Sequence, residues 1–76
     1  MKIQVLGTGC SKCTQLYANV QKAVAELQLD AEVEKVQDID AILAMGVVLT
    51  PGLMVDGKLR ASGRVPNVEE VKKILS

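Results

Sequence analysis

Aromatic side chains are almost missing from this sequence. Tyr17 is the only one among 76 residues, with no phenylalanine and no tryptophan. A core built from this chain must be aliphatic, from Ile, Val, Leu, Met and Ala, and there is no aromatic platform on which nucleic-acid bases could stack. Net charge is missing as well. Nine Lys and Arg balance nine Asp and Glu, so no basic excess draws in phosphate backbones. No apolar run approaches the roughly 20 residues that cross a bilayer. The start of the chain does not read as a secretory leader, because one lysine is followed at once by a strand-like run. Nucleic-acid and membrane partners are therefore not expected, and the expected compartment is the cytoplasm.

Against those absences stands an ordinary globular balance, 49% hydrophobic and 24% charged. The length suits one domain over residues 1–76 and is too short for two. No internal repeat, linker or low-complexity segment divides it.

Lys2 to Leu6, KIQVL, reads as a short strand broken by Gly7-Thr8-Gly9. From Ser11 to about Gln28 the pattern is helical: Cys13, Leu16, Tyr17, Val20, Val24 and Leu27 share a stripe at spacings of three and four. Lys22 and Glu26 on the other face are spaced to pair. Ala31 to Val36 alternates and is polar enough for a sheet edge. Asp38 is placed to cap a short helix through Met45, with Gly46 as its stop. Val47 to Thr50 reads as an apolar linker before Pro51. Strands at Leu53 to Val55 and about Lys58 to Ala61 flank Asp56-Gly57, a strong two-residue hairpin signal. Asn67 and Glu70 have capping-box spacing at the start of a last helix. Its inner face is Val68, Val71, Ile74 and Leu75, and Glu69, Lys72 and Lys73 are expected to face water.

The order is β-α-β-α-β-β-α. The first β-α-β unit requires a right-handed parallel crossover, and the hairpin requires an antiparallel pair. A mixed four-stranded sheet with helices on both faces meets both demands, and strand order 2-1-3-4 is one of the few topologies left.

The chemistry-bearing residues are Cys10 and Cys13, separated by two residues at the junction of the first strand and first helix. The cytoplasm keeps thiols reduced, so a structural staple is a poor reading there. A redox-active dithiol or a thiolate metal site is the better one. At a helix start, N–H groups without intrahelical partners and the macrodipole favour negative charge, which lowers the pKa of a cysteine thiol. Lys12 adds a nearby cation. Cys13 belongs to the apolar stripe and is expected to be buried. Cys10 then acts as the attacking thiolate and Cys13 as the resolving thiol. Two incidental cysteines in a turn remain the plain alternative.

With these features assembled, the chain resembles the small thioredoxin-like redox-active disulfide proteins, domains of glutaredoxin size. KIQVLGTGCSKC, TPGLMVDGKL and SGRVPNVEEVKKIL carry the resemblance over nearly the whole length. It implies a thiol–disulfide oxidoreductase of thioredoxin-like α/β fold that needs no cofactor or metal. It implies that Cys10 is the nucleophile and Cys13 the resolving cysteine. It implies that Thr50-Pro51 is a cis-proline turn beside the disulfide, offering backbone hydrogen bonds to an extended substrate. The partners implied are a protein or small-molecule disulfide and a reductase whose kind the sequence does not specify. Gly9 stands where thioredoxins carry Trp, Ser11-Lys12 where they carry Gly-Pro, and a single Gly63 where glutaredoxins carry Gly-Gly.

Two other readings use the same residues. A heavy-metal-associated domain also opens with a strand, a Gly-rich turn, CxxC and a helix, but it follows its second strand directly with a hairpin. A redox-sensing domain that docks on a partner is the third. Tyr17, one turn beyond Cys13, is expected to cap the core with its hydroxyl wet, the alternative being a gate over the site. Met45 and Met54 are expected as core filler, and Arg64 as an exposed surface residue.

Overall fold

The structure is a computed structural model, and it describes residues 1–9 and 11–76. Seven elements follow one another: β1 (Lys2–Leu6), α1 (Ser11–Leu27), β2 (Glu32–Val36), α2 (Ile39–Ala44), β3 (Gly52–Val55), β4 (Lys58–Ser62) and α3 (Val68–Leu75). The strands form one mixed α/β sheet in the order β2-β1-β3-β4. β1 and β2 run parallel, with Val5 opposite Lys35, as a crossover through α1 requires. β3 is antiparallel to both β1 and β4.

The β3–β4 turn forms where its residue types allow. Asp56 and Gly57 lie at φ 51° and 82°, the pair of left-handed conformations that a type I′ turn needs. Asp56 also ties the hairpin to β1. Its Oδ1 accepts from the Lys2 N–H at 2.8 Å, and its own N–H donates to the Lys2 carbonyl at 2.8 Å. Leu53 pairs with Ala61 but Met54 with Leu59, a bulge that leaves Arg60 over.

Strand alternation sorts the core into two layers. Ile3, Val5, Leu53 and Val55 pack with Leu16, Val20 and Ala23 of α1 and with Val71 and Leu75 of α3. Leu6, Val36 and Met54 face the opposite way and pack with Ile42 of α2 and Val47. Helices therefore cover both faces, as the sequence predicts. Each fully buried Ile, Leu or Val side chain among them stabilises the fold by about 1.5–3 kcal/mol.

Local capping agrees with the residue types. Asp38 accepts from the Asp40 N–H at 3.0 Å at the start of α2. Asn67 and Glu70 form the full capping box of α3, with the Glu70 N–H donating to Asn67 Oδ1 at 2.9 Å.

Four side-chain expectations are corrected. Met45 is not core: α2 ends at Ala44, and Met45 is its half-exposed C-cap. Val47, read as linker, is fully buried in the second layer. Glu26 pairs not with Lys22 but with Lys72, whose Nζ lies 2.6 Å from its Oε1. Lys72 thus crosses from α3 to α1 instead of facing open water, because the two helices pack side by side. This hydrogen-bonded ion pair holds the Glu26 carboxyl below its ordinary pKa and the Lys72 ammonium above its own. Met54 is buried as expected, and Arg64 is exposed, bonding Glu70 at 2.9 Å.

Candidate active site

α1 begins at Ser11, so Cys13 lies in its first turn, at the positive end of the helix macrodipole. The first turn contains no acidic residue to oppose a thiolate. Cys13 is 6% exposed and leads the stripe continued by Leu16, Val20 and Ala23. Cys10 lies outside the described residues.

The sulfur of Cys13 lies against β1 where the strand gives way to the glycine loop. A Cβ added at Gly7 would collide with Cys13 Sγ, and would stand 2.9 Å from Cys13 Cβ and 4.0 Å from Pro51 Cα. Gly7 is thus the point at which Cys13 and Pro51 meet, although they are far apart in sequence. The Thr50-Pro51 peptide bond is cis. Pro51 is buried and Thr50 exposed.

The Pro51 turn is held from the β4 side. Its carbonyl accepts from the Gly63 N–H at 2.9 Å, and the Leu49 carbonyl accepts from Ser62 Oγ at 2.8 Å. Gly63 lies at φ 75°, with Leu49 against its open side. Val48 and Leu49, just before Thr50, are 81% and 63% exposed. They form an exposed apolar shoulder next to Thr50 in the chain, and Ile39 and Leu43 of α2 are exposed aliphatics as well.

Beside Cys13, a shallow depression is lined by Val5, Gly7, Gly9, Thr14, Lys35 and Gln37. Among the described residues Lys35 is its one charged lining residue. Its Nζ lies 4.4 Å from the centroid of the Tyr17 ring. Tyr17 is half-buried against the core, as expected, but its hydroxyl accepts from Gln21 Nε2 at 2.7 Å.

Of the residues singled out in the sequence, Cys13, Thr50 and Pro51 come together here, while Lys12 is exposed on α1. Sequence reasoning missed Gly7, read only as a strand breaker, and missed Lys35 and Gln37. The alternation of β2 was the available signal for Lys35, since it pairs with Val5 on the α1 side. Helix α2 stands between β2 and β3, where a heavy-metal-associated domain would have a hairpin. Among the described residues no helix is long and apolar enough to cross a membrane.

A family model described as "Thioredoxin domain" matches residues 1–76. A protein named "Thioredoxin" from Methanothermobacter thermautotrophicus is 54% identical over 76 residues, covering 100% of this chain and 99% of its own. Another "Thioredoxin", from Methanocaldococcus jannaschii, is 49% identical over 73 residues, covering 96% of this chain and 84% of its own.

Proposed function

Because this chain belongs to the thioredoxin domain family and is a thiol–disulfide oxidoreductase, we propose that Cys10 and Cys13 are its redox pair, exchanging electrons with protein or small-molecule disulfides in the cytoplasm. The Cys10 thiolate attacks one sulfur of the substrate disulfide; the substrate S–S bond breaks, a mixed disulfide forms on Cys10, and the other substrate sulfur leaves as a thiolate that takes up a proton. Cys13 then attacks the Cys10 sulfur. The bond between Cys10 and the substrate breaks, the Cys10–Cys13 disulfide forms, and the substrate leaves as a thiolate that takes a proton from water. The substrate is reduced by two electrons and the cysteine pair is oxidised by two. A reductase returns the pair to dithiol.

The observation that carries this reading is the burial of Cys13 in the first turn of α1, separated from Pro51 only by Gly7. A buried thiol suits the resolving role, and the attacking role then falls to Cys10. Thr50 is exposed beside Pro51, and its backbone offers an extended substrate segment a strand-like edge. The apolar shoulder of Val48 and Leu49 extends that edge and favours a polypeptide over a bare small molecule.

A redox titration with thiol counting by mass spectrometry tests the pair. The expected result is a reversible loss of two thiols per chain, at a potential between about −270 and −120 mV, the span of CxxC oxidoreductases. Two thiols persisting in strongly oxidising buffer would sink the reading. Repeating the titration with zinc or copper separates redox from metal chemistry: a metal site would protect both thiols at stoichiometric metal.

A further inference from the structure

Gly7 is buried at the end of β1, and its N–H donates to the Val36 carbonyl at 2.9 Å, extending the β1–β2 pairing. Glycine in such a position costs conformational entropy and provides no side chain to pack. Four other glycines, Gly9, Gly46, Gly57 and Gly63, have left-handed backbones that favour glycine. Gly7 is not among them, so a left-handed φ is not what calls for glycine there. What excludes a side chain is Cys13, whose Sγ occupies the space a Cβ would take, with its Cβ 2.9 Å away. The far side of the same space ends at Pro51 Cα, 4.0 Å off.

Resting on the reading above, we propose that Gly7 is a positioning residue for the resolving step: by having no side chain it keeps open the slot in which the Cys13 sulfur lies, and so sets how fast Cys13 displaces the substrate from Cys10. Attack of one sulfur on another demands alignment with the bond that breaks. A displacement of about 1 Å in such a group can cost about a hundredfold in rate. A methyl group at Gly7 must drive the Cys13 sulfur to another rotamer or push away the first turn of α1. The first attack, made by Cys10 on the incoming disulfide, does not use the Cys13 sulfur.

The two steps are separable with a symmetrical nitroaromatic disulfide whose thiolate is coloured. Reduced protein releases one thiolate when Cys10 attacks and a second when Cys13 resolves, both followed by stopped flow. In Gly7→Ala the first phase should stay within about twofold of the parent, and the second should slow by about ten- to a hundredfold. Both phases unchanged, or both slowed equally, would overturn the proposal, since general loosening of the fold does not discriminate between them. If Gly7→Ala does not fold, the double variant Gly7→Ala with Cys13→Gly, read against Cys13→Gly alone, is decisive. Removing both the sulfur and the Cβ that crowd the added methyl should make the double variant fold as well as Cys13→Gly alone, and failure to do so overturns the proposal by placing the conflict elsewhere. If the parent protein itself releases no coloured thiolate, it is the redox reading that fails, which is a different result from a parent that works and a Gly7→Ala that matches it.

Discussion

Lys35 at the sheet edge places its ammonium 4.4 Å from the centre of the Tyr17 ring on α1. The ring is half-buried against the core, while the lysine is exposed. The contact bridges β2 to α1 at the end where Cys13 lies. A cation over an exposed aromatic face contributes about 0.5–1 kcal/mol. Lys35→Met should lower the unfolding free energy in urea by that amount, and Lys35→Arg should restore it. A Lys35→Met variant of unchanged stability would mean that the contact adds nothing.

The capping box of α3 makes a second measurable contribution. Asn67 Oδ1 accepts from the Glu70 N–H at 2.9 Å, and Glu70 Oε1 reaches back to the Asn67 N–H at 3.4 Å. Asn67→Ala should destabilise the protein by about 0.5–2 kcal/mol, whereas Asn67→Asp should be tolerated because it keeps the acceptor. Urea midpoints of the two variants decide it.

Much of this could be read from residues alone, and the exceptions have a common cause. Strand and helix positions followed from short-range signals: the Asp56-Gly57 turn, the Asn67–Glu70 box, and the three-and-four spacing from Cys13 onward. The crossover and the hairpin narrowed the strand order to a few topologies, of which 2-1-3-4 is the one observed. Cys13 and Pro51 were legible because each carries a local mark. Gly7 was not. Its need to be glycine comes from Cys13 across the strand–helix junction, a contact with no trace in the sequence around it. The Glu26–Lys72 pair was missed for the same reason: i,i+4 spacing pointed to Lys22, but packing of α3 on α1 brought a better partner. Met45 and Val47 exchanged roles because where α2 ends decides which of them enters the core, and a boundary error of one or two residues is enough to reverse that.

Acid should weaken the ion pair that joins α1 to α3. The Lys72 ammonium holds the Glu26 carboxyl below its ordinary value of 4.5, and Arg64 does the same for Glu70. A carboxyl depressed in the folded state binds its proton more readily in the unfolded chain. Its stabilisation is therefore complete above the unfolded pKa and is lost as pH falls through the folded one. Lys72, raised above 10.5, has the opposite sign: its contribution holds below that value and is lost in strong alkali. Glu26→Gln should flatten the fall in stability at pH below about 4.5, while leaving the plateau near neutrality only slightly lower, since the pair is partly exposed. A parent and a Glu26→Gln variant with parallel acid limbs would count against this assignment.

The two cysteines should respond differently to substitution. Cys13→Ser should accumulate mixed disulfides with protein substrates, because the resolving thiol is gone. Cys10→Ser should accumulate none, because the remaining Cys13 is only 6% exposed. Non-reducing gels followed by mass spectrometry give the result directly. Trapping by Cys10→Ser but not by Cys13→Ser would reverse the roles.

Val48 provides the test of how protein substrates dock. At 81% exposure it makes almost no contribution to the core, so Val48→Ser should change folding stability by less than about 0.5 kcal/mol. Lying two residues before Thr50, it is the proposed outer contact for an extended segment lying along the Pro51 turn. Covering about half of a valine side chain removes enough apolar surface from water to contribute about 1 kcal/mol, equivalent to about fivefold in affinity. Val48→Ser should therefore lower kcat/KM for a disulfide-bonded protein by about that factor. The rate with a small aromatic disulfide, which ends short of the shoulder, should be unaffected. An equal loss with both substrates would show that Val48 acts on the cysteine pair and not on docking. No loss with either would remove the shoulder from the substrate path, leaving Thr50 as the proposed contact there.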